Sequence, residues 1–277
     1  MSAPQLSVLM PAYDEAGTIG DVLEALKALE YELEIIVVDD CSSDETAAIV
    51  AALAQSDERI TLCSHERNRG KGAAVRTALA RSTGAVVIIQ DADAEYDPAD
   101  IPSLVDLILA GRADAVYGSR LRGGQPQRAH LFWHYAGNRL LSLLTGMLFN
   151  TTLSDMEVGY KAIRGDIARG LQLVSDDFCI EPEITARIVS IPDIRIYEVP
   201  IAYYGRTFAE GKKITWRDGL RAVWALWRFR LVTWREHPDR TADLATGLRR
   251  SSVSPFEADG GELSRRRAVR VARRRSH

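Results

Sequence analysis

Two aspartates with one residue between them, Asp91 and Asp93, follow the apolar run 85–89 just after Gln90. Two carboxylates with this spacing, in a loop that ends a strand, can both reach one hard cation, and Glu95 adds a further candidate oxygen ligand. A divalent ion held by few protein oxygens keeps open positions, which suits the binding of a substrate diphosphate. The alternative is a solvated acidic turn, because aspartates often end strands.

Three more segments that contain acidic residues or glycines follow predicted strands. These segments are residues 11–15, 39–42 and 68–72, and the aspartate pair at 91–93 is the fourth. In an open α/β sheet, ligands bind beyond the C-terminal ends of the strands, so the four segments together predict a pocket at one edge. The first loop lacks the G-x-G-x-x-G pattern of dinucleotide-binding proteins, and the chain has no P-loop.

The elements that must carry these loops alternate between strands and helices. Apolar and β-branched runs predict strands at 6–10, 34–38, 60–63, 85–90 and 115–118, and helical spacing predicts helices at 18–29, 45–53, 71–81 and 97–109. This order predicts an α/β fold with a mainly parallel sheet and helices on both faces. Farther on, helices are predicted at 132–149, 181–189 and 215–235, and strands at 159–163 and 194–204.

Composition and charge narrow the class of protein. The chain has 277 residues, of which 46% are hydrophobic and 26% charged, as in ordinary globular enzymes. Three irregularly spaced cysteines indicate neither a disulfide framework nor a zinc site, and a reducing cytosolic setting fits. No signal peptide and no apolar run long enough to span a membrane is apparent.

The basic residues are concentrated at the end of the chain. From His237 onward there are ten arginines and five acidic residues, whereas the rest has 25 basic and 33 acidic residues. An acidic body of this kind is not typical of a nucleic-acid-binding protein. Residues 237–277 lack periodicity and are predicted to be a disordered tail, which either touches something anionic or is simply solvated.

Six segments together resemble family 2 glycosyltransferases of the GT-A fold, and within them the dolichyl- or polyprenyl-phosphate mannose and glucose synthases. They are residues 8–15 (VLMPAYDE), 36–44 (IVVDDCSSD), 91–93 (DAD), 118–120 (GSR), 155–161 (DMEVGYK) and 199–206 (VPIAYYGR). The resemblance covers about residues 5–235. It implies a catalytic domain at 1–236, with a nucleotide-sugar half at about 1–120 and an acceptor half at about 121–236.

The resemblance also implies roles for individual residues. The metal ligands would be Asp91, Asp93 and Glu95, where relatives often carry Gln, and the ion would be Mg²⁺ or Mn²⁺. The nucleotide would be bound by Pro11, Tyr13, Glu15, Asp40, Lys71 and Ala92. Arg206 and Lys213 would close over the donor phosphates, and Arg120 would meet the acceptor phosphate. The catalytic set would thus be Asp91, Asp93, Arg120 and Arg206. There are plainer alternatives for three residues: Tyr13 packs in the core, Lys71 is an exposed helix start, and Arg206 forms a surface ion pair.

The chain departs from the family pattern at the start of the helix predicted at 132–149. Relatives carry an Arg and a Ser there to grip the acceptor phosphate, and the matching positions are His130 and His134. Their i, i+4 spacing puts both on one helix face, where they could donate to a phosphate, so binding would depend on pH. An ordinary helix surface is the alternative.

The helix predicted at 215–235 combines tryptophans with arginines. Trp216, Trp224, Trp227 and Trp234 recur at helical spacing, and Arg217, Arg221, Arg228 and Arg235 form another stripe. This pattern suits a lipid interface, although a helix packed on the body is the more common explanation. With the apolar helix at 132–149, it predicts peripheral attachment to the cytoplasmic face of a membrane.

The predicted activity is transfer of a sugar, with inversion, from a nucleotide sugar (UDP-glucose or GDP-mannose) to a polyprenyl or dolichyl phosphate. One rival keeps the donor but uses a saccharide or small alcohol as acceptor, with Asp155 or Glu181 as the base. A signalling receiver domain also clusters acids at strand ends, but it would place paired acids after its first strand. The base, the sugar, the lipid and the oligomeric state stay open.

Overall fold

The structure is a computed structural model that describes residues 4–128, 132–206 and 216–236. The chain divides into a compact unit at Met1–Glu236 and a second unit at His237–His277. The predicted tail, His130 and Lys213 lie outside the described residues, as does the side chain of His134. The two predicted halves of the catalytic domain stay predictions.

Strands and helices alternate through the first half of the described chain, as the sequence predicts. The strands are β1 (Leu6–Ala12), β2 (Leu33–Asp39), β3 (Ile60–Ser64), β4 (Val86–Ile89), β5 (Ala115–Ser119), β6 (Lys161–Arg164) and β7 (Ile196–Pro200). The helices are α1 (Ile19–Lys27), α2 (Thr46–Ser56), α3 (Lys71–Leu79), α4 (Ile101–Leu109), α5 (Phe132–Phe149), α6 (Gly165–Gly170), α7 (Ile180–Val189) and α8 (Trp216–Glu236). A short 3₁₀ turn at Pro98–Asp100 precedes α4.

These strands form one sheet in the order β3-β2-β1-β4-β6-β5-β7. Within the described residues every pairing is parallel except the two made by β6, which runs antiparallel to β4 and to β5. The predicted α/β class with a mainly parallel sheet is confirmed. Because β6 is reversed, its first residue lies at the edge where its neighbours end.

The central strands are buried on both sides, which explains their continuous apolar sequences. Residues 35–38 and 86–89 are all buried, as expected where helices cover a parallel sheet. Helix α3 packs against β1 and β2, and α4 packs against β5 and β6. The strand predicted at 194–204 is shorter, and β7 ends at Pro200, whose nitrogen has no hydrogen to donate to a sheet.

Two glycines allow the loop before α7 to lie directly on the first turn of α3. Gly70 has a φ of +93°, and a Cβ built there would lie 2.4 Å from the carbonyl oxygen of Asp176. A Cβ at Gly72 would lie 2.4 Å from the carbonyl oxygen of Ser175. The amide of Ala73 donates to the Asp176 carbonyl at 3.1 Å. The glycines therefore join two segments that are distant in sequence.

Replacing Gly72 by alanine should destabilise the protein although alanine favours helices. The new methyl group meets backbone oxygen, so we expect a loss of about 1–3 kcal/mol in the free energy of unfolding. Gly137, in α5, is the matched control, because a Cβ added there would meet nothing within 4 Å. Gly137→Ala should gain roughly 0.5–1 kcal/mol. Equal unfolding free energies for the two variants in urea titrations would contradict the close packing.

Candidate active site

One edge of the sheet collects the predicted site residues. Strands β1, β2, β4, β5 and β7 all end there, and the reversed β6 begins there. We call this the site edge. It brings together the loops after Ala12, Asp39, Ile89, Ser119 and Pro200, so most of the predicted site residues that the structure describes share one edge.

Backbone strain marks the same edge. Asp14, Cys41 and Ala94 follow β1, β2 and β4, and their φ angles of 50°, 63° and 57° lie in the left-handed region. Such conformations cost of order 1–3 kcal/mol for non-glycine residues and persist only when their surroundings hold them. Here the first two loops brace each other, because Ser43 donates its amide to an Asp14 carboxylate oxygen at 2.7 Å and Asp14 donates its amide to Ser42 Oγ at 3.0 Å.

Asp40 is buried and holds the loop that leads into α3. Its carboxylate accepts the backbone amides of Arg69 at 2.9 Å and Gly70 at 2.7 Å. His65 Nδ1 lies 2.6 Å from the same carboxylate, a contact that no motif in the sequence predicts. The predicted contact of Asp40 with a nucleotide stays a prediction. In the structure, the Asp40 carboxylate holds the loop before α3. Tyr13, in the loop after β1, is 38% exposed.

Asp91 and Asp93 lie beyond β4, as predicted, and each contacts a cation supplied by another segment. Lys71 Nζ lies 2.8 Å from Asp91 Oδ1, and Arg206 Nη2 lies 3.1 Å from Asp93 Oδ2. Burial and the negative charges of Asp91 and Glu95 raise the pKa of Asp93 to about 7, and Arg206 opposes this effect.

The chemistry of this aspartate pair fits a divalent cation. Carboxylate oxygens are the hard donors that Mg²⁺ and Mn²⁺ prefer. The repulsion between the carboxylates of Asp91, Asp93 and Glu95 is only partly offset by Arg206, so a cation would be stabilised there. Within the described residues no group of three His, Cys, Asp or Glu side chains converges in metal-binding geometry. Asp91 and Asp93 are therefore a two-carboxylate candidate, and Glu95 is engaged elsewhere.

Glu95 holds the segment that follows β7. Its side chain accepts the Tyr203 hydroxyl at 2.8 Å and the Arg206 amide at 2.7 Å. Its own carbonyl accepts the Tyr204 amide at 2.9 Å. The predicted metal contact of Glu95 stays a prediction. In the structure, this carboxylate links the aspartate loop to the segment that carries Arg206.

Arg206 contacts carboxylates of two strand-end loops. Its guanidinium binds both oxygens of Glu15, at 2.9 and 3.0 Å, besides Asp93. Burial alone would lower the pKa of Arg206, but the hydrogen bonds and charges of Glu15, Asp93 and Glu95 raise it, so it stays charged. The predicted contacts of Arg206 with donor phosphates, and of Glu15 with the nucleotide, stay predictions.

Lys71 joins the aspartate loop to α7. Its Nζ lies 3.0 Å from Glu181 Oε1 as well as near Asp91. Lys161, which is fully buried, also donates to Glu181. Burial alone would lower the pKa of Lys71, but Asp91 and Glu181 raise it well above its ordinary value. The alternative of an exposed helix start is wrong, because only 15% of the Lys71 side chain is exposed.

Arg120 is buried after β5 and is fixed by Asp155. The guanidinium Nε and Nη2 donate to the two Asp155 oxygens at 2.7 and 2.8 Å, and it lies over the Tyr203 ring at 5.1 Å. Burial would raise the pKa of Asp155, but the Arg120 charge lowers it below its ordinary value. The pKa of Glu181 is likewise lowered by Lys161 and Lys71 against the effect of burial. Neither carboxylate is therefore a strong base.

Glycine at position 159 leaves room for the aspartate loop. A Cβ there would lie 2.7 Å from Asp91 Oδ2 and 2.9 Å from the Tyr96 ring. The Gly159 amide donates to the Tyr96 hydroxyl at 3.0 Å, and Tyr96 stacks on Tyr160 with ring centroids 4.8 Å apart. Buried aromatic rings therefore back the candidate metal site from the side of β6.

Ala92, between the two aspartates, is buried, and its carbonyl accepts the Thr18 hydroxyl at 2.8 Å. Pro11 is partly buried at the end of β1. Both residues lie at the site edge, and their predicted contacts with a nucleotide stay predictions.

Two helices in the second half of the sequence, α5 and α8, expose apolar side chains. On α8, one face is buried on the body through residues such as Leu226 and Phe229, and the other exposes Leu220, Trp224, Trp227 and Leu231. The exposed side chains of α5 include Phe132, Tyr135, Leu140, Leu143 and Met147. Helix α5 packs against α8. Among the described helices, none has the length and apolar character needed to cross a bilayer.

Glu157 lies in the segment just before β6, and sequence reasoning assigned it no role of its own. Its Oε1 is buried without a hydrogen-bond partner in the described part of the chain. Burial and the nearby Glu181 raise its pKa from 4.5 to about 7, although Lys161 and Arg120 act in the opposite direction. It lies within segment 155–161, which carries part of the family resemblance, but nothing in the sequence indicates that it is buried.

The raised pKa of Glu157 makes stability depend on pH. Between pH 4.5 and 7 the folded protein binds more protons at this residue than the unfolded chain does, so its contribution falls as pH rises. Glu157→Gln should therefore gain about 2–3 kcal/mol in unfolding free energy, relative to wild type, between pH 5 and pH 8. Urea titrations measure this, with Glu58→Gln as an exposed control for the substitution itself. A gain that is the same at both pH values would contradict the pKa.

Comparison with known proteins identifies the family. The family model described as glycosyl transferase family 2 matches residues 7–167. The low-salt glycan biosynthesis hexosyltransferase Agl6 of Haloferax volcanii is 30% identical over 83% of this chain, which spans 54% of that relative's length. The polyprenol monophosphomannose synthase of Mycolicibacterium smegmatis is 26% identical over 74% of this chain and 79% of its own.

Solved structures support the fold. Glucosyl-3-phosphoglycerate synthase from Mycobacterium tuberculosis, in complex with Mn²⁺ and uridine-diphosphate-glucose, is similar with a TM-score of 0.62 and 20% identity, over 82% of this chain and 79% of that one. At this identity the likeness concerns the fold alone, which agrees with the GT-A-like architecture that the sequence predicts. The chain thus belongs to glycosyl transferase family 2.

Proposed function

We propose that this chain is an inverting glycosyltransferase that moves a hexose from UDP-glucose or GDP-mannose to a polyprenyl or dolichyl phosphate. The observation that carries the proposal is the site edge itself. There the carboxylate pair Asp91 and Asp93 lies with Lys71, Arg120 and Arg206, which are cations suited to phosphate groups. The polyprenol monophosphomannose synthase described above and a dolichol-phosphate mannosyltransferase of Pyrococcus furiosus, 27% identical over 85% of this chain, support the acceptor class.

On the donor side, the residues of the chain bind and neutralise a nucleoside diphosphate. Asp91 and Asp93, with Glu95 as a third candidate, would hold Mg²⁺ or Mn²⁺, and the bound ion would supply charge stabilisation for the leaving diphosphate. Pro11, Tyr13 and Asp40 lie beside the loops of β1 and β2, where the base and ribose would bind. Arg206 and Lys213 would add positive charge to the phosphates of the leaving group.

On the acceptor side, the observed carboxylates favour a phosphate over a saccharide. A phosphate monoester is already anionic at neutral pH, so its oxygen can attack the anomeric carbon without a strong base. The sugar–diphosphate bond breaks as the new bond forms, with inversion to a β-linked product. A sugar hydroxyl would require a base, and Arg120 and the lysines keep the pKa of Asp155 and of Glu181 low.

Arg120 is the residue that we assign to the acceptor phosphate. Asp155 binds it through two hydrogen bonds and so presents the guanidinium in one orientation. His130 and His134 are further candidates for the same phosphate and would strengthen its binding at low pH, when imidazole is protonated.

The proposal predicts which acceptor receives sugar. With Mn²⁺ or Mg²⁺ and a panel of nucleotide sugars, mass spectrometry should detect glycosylated polyprenyl phosphate and no glycosylated oligosaccharide. Asp91→Asn should lower the rate about 10²-fold or more, because the charge that stabilises the leaving group is lost. Asp97→Asn, a change at a partly buried position in the same loop that keeps an N-cap, is the control. Transfer to saccharides but not to lipid phosphate would refute the acceptor assignment.

Attachment to the cytoplasmic face of a membrane would give the site access to its lipid acceptor. The exposed face of α8 combines Trp224 and Trp227, which are 62% and 53% exposed, with Arg221 and Arg228. Indole rings favour the headgroup region, and arginines are attracted to anionic lipids. The buried opposite face holds α8 on the body, so the helix would lie flat in the interface. The side chains of Trp216, Arg217, Trp234 and Arg235 lie outside the described residues.

Membrane attachment can be tested with a chain that ends near Pro238, so that the basic tail contributes nothing. This protein should sediment with anionic vesicles at low salt and less at high salt, because each basic residue contributes about 1 kcal/mol that salt screens. Changing Trp224 and Trp227 to Ser should remove most binding. Tyr197→Ser, which removes an exposed aromatic from β7, is the control. Failure of the truncated protein to bind at low salt would show that α8 serves packing only.

A further inference from the structure

The candidate metal site contains two cations of its own. Lys71 contacts Asp91, and Arg206 contacts Asp93. Each candidate ligand is therefore paired with a side chain from elsewhere in the fold. A divalent ion that binds both aspartates must compete with Lys71 and Arg206, because these side chains already contact the carboxylates that the ion would bind.

The two cations differ in how they are held. Lys71 begins α3, next to two glycines that are packed under backbone carbonyls, and is shared between Asp91 and the buried Glu181. Arg206 lies beyond β7, where the hydrogen bonds of Glu95 to Tyr203 and to the Arg206 amide hold the backbone. Among the described residues, its side chain is held through carboxylate oxygens of Glu15, Asp93 and Glu95. Both cations are held by carboxylates, but Arg206 contacts three of them against two for Lys71, and its guanidinium is the group better suited to exchange them for phosphate oxygens.

Negative charges outnumber the positive charge at Arg206, which favours the exchange of a carboxylate for another anionic ligand. One guanidinium faces three carboxylates, those of Glu15, Asp93 and Glu95. Its Nε is buried and makes no hydrogen bond in the described part of the chain, with the nearest Glu95 oxygen 3.8 Å away. The Nε–H is thus a donor without a partner in that part of the chain, and guanidinium binds phosphate oxygens well.

We propose that Arg206 is the internal counter-cation of the metal site. It neutralises Asp93 and Glu15, and it therefore opposes metal binding until a diphosphate offers it other oxygens. This inference rests on the metal-dependent transfer proposed above and deepens it. Metal and nucleotide binding are then coupled through one side chain, so that the free ion binds weakly and the ion accompanied by diphosphate binds well.

The test is the affinity of the full chain for Mn²⁺ alone, without nucleotide, measured by the electron paramagnetic resonance signal of free Mn²⁺. Arg206→Gln removes the competing charge and should tighten Mn²⁺ binding about 10-fold, within the range usual for coupled sites. Arg164→Gln is the matched control, since Arg164 also contacts two carboxylates, Asp114 and Asp166. Its Mn²⁺ affinity should equal that of wild type.

Thermal unfolding gives a second readout. Metal-free Arg206→Gln should have a lower Tm than wild type, because three carboxylates lose their cation, and Mn²⁺ should raise its Tm more than that of wild type. If this variant does not fold, Arg206→Lys takes its place. It keeps the charge but loses the two-pronged contact, so it should bind Mn²⁺ more tightly than wild type.

The outcomes separate this inference from the proposed function. Equal or weaker Mn²⁺ binding in the folded Arg206 variants overturns the counter-cation role, while sugar transfer by wild type would still support the transferase. Absence of Mn²⁺ binding in every protein overturns the counter-cation role together with the metal site. Failure of sugar transfer by wild type, together with tighter Mn²⁺ binding in Arg206→Gln, would instead count against the proposed reaction and leave the counter-cation role standing.

Discussion

Neutralisation of carboxylates at one edge of a sheet is the constraint on which this site depends. An ion buried without a partner is unstable, and removal of one member of a buried pair is strongly destabilising. The fold meets this requirement with internal cations, as when Arg120 binds Asp155 and Lys161 binds Glu181. These pairs hold the charged groups in place before any ligand binds, which is the condition for electrostatic catalysis.

The topology of the sheet supplies the cations. Four distant parts of the sequence supply Lys71, Arg120, Lys161 and Arg206, and the strand order β3-β2-β1-β4-β6-β5-β7 brings their segments to the same edge. The reversal of β6 is essential to this arrangement. Because β6 begins at the site edge, the segment before it places Asp155 there, and its first residue is Lys161. A parallel strand in the same place would put that segment at the opposite edge.

The sequence predicted the frame of the site better than its contacts. Continuous apolar runs identified β2 and β4, and the position of Asp91 and Asp93 after β4 followed from the pattern. A pattern tells which edge a side chain occupies. It does not tell which opposite charge the side chain reaches, because that depends on the packing of distant segments. The contacts of Lys71 with Glu181 and of Arg206 with Glu15 were therefore not predicted, and neither was the burial of Glu157.

The two amphipathic helices, α5 and α8, leave large apolar side chains exposed to water. Helix α8 needs only one face to pack on the body, and there it buries Leu226 and Phe229. Exposed tryptophans on its other face add nothing to that packing and leave apolar area in water, which favours association with another apolar phase. Arg228 lies over the Trp224 ring at 5.4 Å, so cation and indole occupy the same exposed face. This combination suits a boundary between charged headgroups and acyl chains, which is where the proposed polyprenyl phosphate acceptor would present its phosphate.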